Sequence, residues 1–107
     1  MAQRASLGVA RAGGLGENTS GDLFLAFSTG NTGRLDERGD TRRPLEVHML
    51  QNRAMNALFE ATVDATEEAI LNALCTATTT TGVDGRTAYA IPLDRLQSLL
   101  GAVQRGV

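Results

Sequence analysis

Residues 20–29 read Ser-Gly-Asp-Leu-Phe-Leu-Ala-Phe-Ser-Thr, and this stretch decides the class of fold. Alternate side chains of a β-strand point to opposite faces, so Leu23, Leu25 and Phe27 would share one face and the side chains between them the other. Both faces are apolar, which is typical of a strand covered on both sides. The stretch therefore predicts a buried strand in a protein of mixed α/β (α+β) class.

The segments on either side of this strand have the composition of loops. Residues 13–21 are rich in glycine and small polar side chains, and residues 30–43 combine glycine with alternating charge. After Pro44, apolar side chains at every second position predict another strand over 45–50. Two strands alone form a marginal sheet, so further strands are expected from outside this chain.

Three segments have the period of amphipathic helices. They are residues 2–12, a long helix from about Asn52 to about residue 77, and residues 93–103 after Pro92. Asn52 is a candidate N-cap of the long helix. Four threonines, 78–81, should fray and end that helix before Gly82, because β-branched side chains lose rotamer freedom in a helix.

Length and composition exclude several classes of protein. With 107 residues, 42% hydrophobic, the chain is predicted to be a single domain over 1–107. A net charge of -2 gives no bulk attraction to nucleic acid, and no apolar run approaches the roughly 18 residues that a membrane-spanning helix needs. The lone Cys75 excludes an intrachain disulfide and a thiolate zinc site, and it is expected to be a small buried apolar residue.

Nothing in the motifs indicates a cofactor or a metal. The glycines at 13, 14 and 16 do not fit a dinucleotide-binding fingerprint, and no phosphate-binding loop is present. The sequon at 18–20 and the Arg-Gly-Asp at 38–40 are interpreted as chance matches. His48 is the single histidine, and without a paired nucleophile it is interpreted as structural.

Two groups of residues leave a functional and an ordinary interpretation open. Glu60, Asp64 and Glu68 recur every four residues with no basic residue on the same side of the helix. They form a solvated face, a docking surface or an oxygen-ligand cation site. Ser20 and Asp22 lie two residues apart before the buried strand, which suits chemistry on a rigid support but also an ordinary turn.

Four stretches together resemble one family, that of the L-aminopeptidase/D-esterases and β-peptidyl aminopeptidases, self-processing hydrolases of the DmpA and BapA type. In the family's order these stretches are Arg4-Ala5-Ser6-Leu7-Gly8-Val9-Ala10-Arg11, Ser20-Gly21-Asp22-Leu23-Phe24-Leu25-Ala26-Phe27-Ser28-Thr29, Ala65-Thr66-Glu67-Glu68-Ala69-Ile70-Leu71-Asn72-Ala73-Leu74 and Asp84-Gly85-Arg86-Thr87. The resemblance implies a four-layer αββα sandwich built from two subunits, in which a precursor cuts itself before a Ser. That Ser becomes the nucleophile at the N-terminus of the smaller subunit.

The resemblance also assigns roles to residues of this chain. Ser20 and Asp22 match the family's S-x-[DE] pattern, in which the Ser holds the nucleophile by a hydrogen bond and the acidic residue orients that network or meets a substrate ammonium group. Because the chain begins with Met1 and not with Ser, the nucleophile is expected upstream of it. The chain is thus interpreted as a partial β-subunit that is inactive alone.

The resemblance further implies the partners. These are the larger α-subunit of the same precursor, a small peptide, amide or ester substrate, and an oligomer of αβ pairs, with neither nucleic acid nor membrane. A non-catalytic interaction module and an acyltransferase on a similar fold are the alternatives. The compartment is expected to be cytoplasmic, or periplasmic if a signal precedes Met1.

Overall fold

The structure is a computed structural model that describes residues 1–19, 21–33, 42, 44 and 46–104. The chain divides into two compact units, Met1–Thr66 and Glu67–Val107. The boundary between the units falls within the longest helix.

The first unit begins with helix α1, Ala2–Arg11. This helix was predicted over 2–12, and it ends where glycines begin at Gly13. Gly13 has a φ of 99°, which is left-handed backbone that a residue without Cβ adopts without strain. The glycine that stops the helix is thus also the one that turns the chain.

Helix α2 spans Met55–Thr76 and follows a single 3₁₀ turn, Asn52–Ala54. The prediction that Asn52 caps this helix is wrong, because Asn52 lies inside the 3₁₀ turn. Gln51 precedes that turn and its side chain makes no capping hydrogen bond. The tighter turn needs no Asn cap, since the N–H of Ala54 donates to the carbonyl of Gln51 at 2.9 Å.

Helices α1 and α2 approach closely at Gly8, the one buried residue of α1. A Cβ built on Gly8 would lie 2.6 Å from both the Cβ of Thr66 and the carbonyl oxygen of Val63. The Thr66 hydroxyl donates to the carbonyl of Thr62 at 2.7 Å, which satisfies its polar group within α2. Thr66 can therefore pack on a glycine as a small apolar residue would.

The predicted buried strand over 22–29 has no strand partner within the described residues, and its side chains are not buried. Leu23, Leu25 and Phe27 are 98%, 90% and 85% exposed, whereas Phe24 is 36% exposed. Successive side chains therefore alternate between two faces as predicted, but the prediction that both faces are buried is wrong. A strand forms only against another strand, and the described chain supplies none next to these residues.

The second predicted strand, over 45–50, is likewise unpaired at the residues described, 46–50. Its exposed apolar side chains include Met49 at 84%. The physical reason is the same as for 22–29, because no described strand lies beside it. Residue 45 itself lies outside the described residues.

The second unit contains the only sheet among the described residues, a hairpin of β1, Thr80–Thr81, and β2, Thr87–Ala88. The strands are antiparallel, with Thr80 opposite Ala88 and Thr81 opposite Thr87. Helix α2 ends at Thr76, just before the threonines that were predicted to end it. The sequence did not predict that two of these threonines form a strand. Helix α3, Leu93–Gln104, follows as predicted.

These elements make the chain a protein of α+β class. No hydrophobic side chain among the described residues is buried. Cys75 is exposed, contrary to the prediction that it is buried, because nothing in the described chain covers this part of α2. Among all the residues that the structure describes, no helix is both long enough and apolar enough to cross a bilayer.

Candidate functional site

Of the two site residues that the sequence predicts, Ser20 lies outside the described residues. Asp22 is exposed and lines a cleft of about 240 Å³ in the first unit. The other described residues that line this cleft are Val9, Gly13, Gly14, Leu15, Gly16 and Glu17. Asp22 is thus placed across a small cleft from the end of α1 and the turn that follows it.

The turn after α1 is a Schellman motif, in which two consecutive amides bond back to the last turn of the helix. The N–H of Gly13 donates to the carbonyl of Ala10 at 3.0 Å, and that of Gly14 donates to the carbonyl of Val9 at 2.9 Å. These bonds satisfy two of the carbonyls that every helix end leaves without a partner. They also fix the direction in which the chain leaves α1 toward Asp22.

Two carboxylates, those of Glu17 and Asp22, give the cleft a negative potential, because none of its described lining residues is basic. The Asp22 carboxylate makes no hydrogen bond or ion pair with the described residues. An accessible carboxylate of this kind can accept hydrogen bonds from a hydroxyl or from a protonated amine. The cleft can therefore orient a polar group or neutralise an ammonium ion.

No described serine is placed as a nucleophile. The Ser6 hydroxyl donates to the carbonyl of Gln3 within α1 at 2.7 Å, and that of Ser98 donates to the carbonyl of Asp94 within α3 at 2.9 Å. The Ser28 hydroxyl accepts from the N–H of Gly30 at 3.2 Å. Each of these hydroxyls bonds to a backbone group two to four residues away, and none lines the cleft with Asp22.

His48 takes part in the structure through its backbone. Its N–H donates to the Asn31 side-chain oxygen at 2.7 Å, and its carbonyl accepts from the Asn31 side-chain nitrogen at 3.1 Å. Its side chain is exposed. Because the imidazole takes no part in this pairing, the interpretation of His48 as a structural residue stays a prediction.

The acidic side of α2 has a partner that the sequence did not reveal. Arg11 of α1 contacts the Asp64 carboxylate at 2.6 Å, so a basic residue from another helix relieves one of the charges that α2 itself leaves without a basic neighbour. Helix packing brings the two residues together across 53 positions of sequence. Because the side chains are 52% and 67% exposed, this ion pair contributes little to stability.

A larger groove, of about 520 Å³, lies between α1 and the first half of α2, and Asp22 is not among its described lining residues. In it the Arg4 guanidinium lies 4.6 Å from the centre of the Phe59 ring, which is a cation–π contact. No three potential metal ligands come together among the residues that the structure describes. The groove thus contains Glu60 and Asp64 from the acidic side of α2, whereas Asp22 lines a different cleft.

Sequence reasoning missed Val9, Gly14 and Glu17 as neighbours of Asp22. Their one signal in the sequence is the group of glycines after a helical period, which indicates a turn but not what the turn faces. Only the fold brings α1 and Asp22 to the same cleft.

The family model for Peptidase family S58 matches residues 1–88. This chain belongs to that family. The resemblance drawn from the four sequence stretches is thereby confirmed. Within it, the chain is 40% identical to the β-peptidyl aminopeptidase BapA of Sphingosinicella microcystinivorans over 98% of its own length, and 41% identical to BapA of Sphingosinicella xenopeptidilytica over 95%.

A solved structure shows the same fold for this S58 chain. The PH0078 protein from Pyrococcus horikoshii OT3 matches it with a TM-score of 0.84 and 38% identity over 95% of the chain. The chain spans only about a quarter of the longer proteins that it matches: 26% and 25% of the two BapA proteins and 28% of the PH0078 chain.

Proposed function

We propose that this chain is the C-terminal part of a self-processing serine aminopeptidase that removes N-terminal residues from small peptides, amides or esters. The observation that carries the proposal is the match to the S58 peptidase family together with 40% identity to a β-peptidyl aminopeptidase over nearly the whole chain. The 107-residue chain alone is inactive under this proposal. Support for that statement comes from the three described serines, each of which has its hydroxyl in a hydrogen bond with the backbone of a nearby residue.

The proposed reaction proceeds through an acyl-enzyme. A serine freed at an N-terminus by self-cleavage attacks the carbonyl carbon, and its hydroxyl proton passes to its own α-amino group. Oxyanion donors in the larger subunit stabilise the tetrahedral intermediate. The C–N or C–O bond then breaks, the leaving group takes the proton, and water hydrolyses the resulting ester to regenerate the serine.

Asp22 and Ser20 support this serine in the proposal. The Ser20 hydroxyl holds the nucleophile by a hydrogen bond, and the Asp22 carboxylate orients that network or neutralises an ammonium group. The Asp22 carboxylate is accessible and lies in a negatively charged cleft, which supports the neutralisation of an ammonium group. In this proposal neither residue is itself the nucleophile.

The proposed partner is the larger subunit of the same enzyme, which completes a four-layer αββα sandwich. On this chain, the proposed surface of contact is the apolar face formed by Leu23, Leu25 and Phe27, called here the strand face. Three neighbouring apolar side chains at least 85% exposed favour contact with another apolar sheet over solvent. The greater length of the relatives supplies chain enough to cover it. We propose an oligomer of such αβ pairs as the working enzyme.

The test is a chimera in which this chain replaces the 105-residue segment that it matches in BapA of S. microcystinivorans. The chimera is expected to hydrolyse a β-peptide amide, whereas BapA without the segment and this chain alone are expected not to. Asp22→Asn in the chimera should lower kcat at least about tenfold, since positioned acid–base groups contribute about 10²–10⁴-fold. Glu68→Gln, a change at an exposed carboxylate outside the cleft, is the matched control.

A folded chimera without hydrolytic activity would refute the aminopeptidase proposal. It would favour the second candidate, a non-catalytic interaction module, for which the exposed strand face is the supporting observation. Products formed with an added amine in place of water would indicate acyl transfer. Analysis of the products by mass spectrometry separates these outcomes.

A further inference from the structure

Two adjacent glycines after α1 are required for different physical reasons. Gly13 has a φ of 99°, and nothing lies within 4 Å of a Cβ built on it, so backbone conformation and not space requires it. Gly14 has no such φ, but a Cβ built on it would lie 2.5 Å from Val9 Cγ1 and 3.2 Å from the Val9 carbonyl oxygen. Close packing on Val9 is thus what requires Gly14.

This contact also forms part of the cleft that contains Asp22. Val9 and Gly14 both line the cleft, and the hydrogen bond from the Gly14 N–H to the Val9 carbonyl holds them together at 2.9 Å. A methyl group at position 14 could reach an ordinary carbon–carbon separation of about 3.5–4.0 Å from Val9 only if the Val9 side chain or the turn, which both line the cleft, moved by about 1 Å. Such a movement displaces one wall of the cleft relative to Asp22.

We propose that Gly14 is a positioning residue for the reaction, and that its contact with Val9 sets the distance between the turn at 13–16 and the Asp22 carboxylate. The inference rests on the proposed aminopeptidase function. Supporting groups of an active site must be held within about 0.5 Å of the productive geometry. A displacement of about 1 Å can reduce the rate by about 10²-fold. The expected effect therefore falls on turnover rather than on substrate binding.

The experiment measures kcat and KM for Gly14→Ala in the BapA chimera, with kcat normalised to the folded fraction seen by circular dichroism. We expect kcat to fall at least about tenfold with KM changed less than about threefold. Gly82→Ala is the matched control, because Gly82 has a φ of -101° and its nearest neighbour is 3.8 Å from a built Cβ. It should leave both constants unchanged.

The decisive readout is rescue. Val9→Ala removes the methyl group that a Cβ at position 14 would meet at 2.5 Å, so Val9→Ala with Gly14→Ala should regain the kcat of Val9→Ala alone. A lower kcat in the double variant, or an unchanged kcat in Gly14→Ala, would overturn the inference. If Gly14→Ala does not fold, the kcat of the double variant relative to that of Val9→Ala still tests the positioning role of Gly14.

The two levels of the proposal fail differently. If the folded chimera hydrolyses nothing, the aminopeptidase proposal fails and the positioning role fails with it. If Asp22→Asn lowers kcat while Gly14→Ala does not, only the positioning role is refuted.

Discussion

The side-chain amide of Asn31 pairs with the backbone of His48 as a neighbouring strand residue would. Its nitrogen donates to the His48 carbonyl at 3.1 Å, and its oxygen accepts from the His48 N–H at 2.7 Å. One side chain thereby satisfies both backbone polar groups of a residue 17 positions away. In the described chain this pairing connects the turn at 30–33 with residues 46–50.

Replacing Asn31 by Ala should remove both of these bonds, because alanine has neither a side-chain donor nor a side-chain acceptor. We expect the His48 amide to exchange with solvent faster and the free energy of unfolding to fall by about 0.5–1.5 kcal/mol. Hydrogen exchange followed by NMR on the full chain measures both. His48→Ala is the control, because the bonds use only the backbone of that residue. Unchanged exchange of the His48 amide in Asn31→Ala would contradict the pairing.

Gly8→Ala should destabilise the first unit although alanine favours helices. Its Cβ would meet the backbone carbonyl of Val63 at 2.6 Å, and backbone yields less easily than a flexible side chain. Overpacking costs about 1–3 kcal/mol, against a gain of about 1 kcal/mol in helix propensity. Urea denaturation should therefore show a net loss of stability.

The control for Gly8→Ala is Ser6→Ala, which lies on the exposed side of the same helix and loses only a local bond to Gln3. Its midpoint should stay near that of the parent chain. A Gly8→Ala chain more stable than the parent would mean that α1 and α2 do not meet at this glycine.

Gly85→Ala should open the hairpin of the second unit. Asp84 and Gly85 have φ values of 59° and 71°, so both central residues of the turn are left-handed. An alanine in that conformation costs about 1–2 kcal/mol. The amide of Gly82, which donates to the Arg86 carbonyl at 2.8 Å, should then lose protection from exchange. Asp84→Asn should preserve the protection, since Asn tolerates this region of backbone space.

Leu25→Ser should have a small effect on the stability of the isolated chain and a large effect on that of the chimera. In the isolated chain Leu25 is 90% exposed, so its replacement should change stability by less than about 0.5 kcal/mol. If the strand face is covered in the complete enzyme, the loss of a buried leucine should cost about 2–5 kcal/mol there. Thermal unfolding of both proteins measures the difference.

Val83→Ser is the matched control for the strand face, because Val83 is 82% exposed and lies outside that face. It should have a small effect in both proteins. Equal tolerance of Leu25→Ser in the chimera would show that the strand face stays in contact with solvent.

The sequence by itself determined the three helices and the family, and Asp84-Gly85 indicated a turn. Helices and tight turns depend on residues within a few positions of one another, so their periods and glycines are visible in the sequence. The alternation along 22–29 was predictable for the same reason, and so was the position of Asp22 at its start.

Only the tertiary structure decided which residues meet. The contacts of Gly8 with Thr66, of Arg11 with Asp64 and of Asn31 with the backbone of His48 join distant positions, and no local pattern records them. Strand pairing also depends on which segments meet: Thr80 pairs with Ala88 and Thr81 with Thr87, while residues 22–29 remain without a described partner strand. The periods of the sequence thus fix each element, whereas packing fixes the cleft in which Asp22 faces Val9 and Gly14.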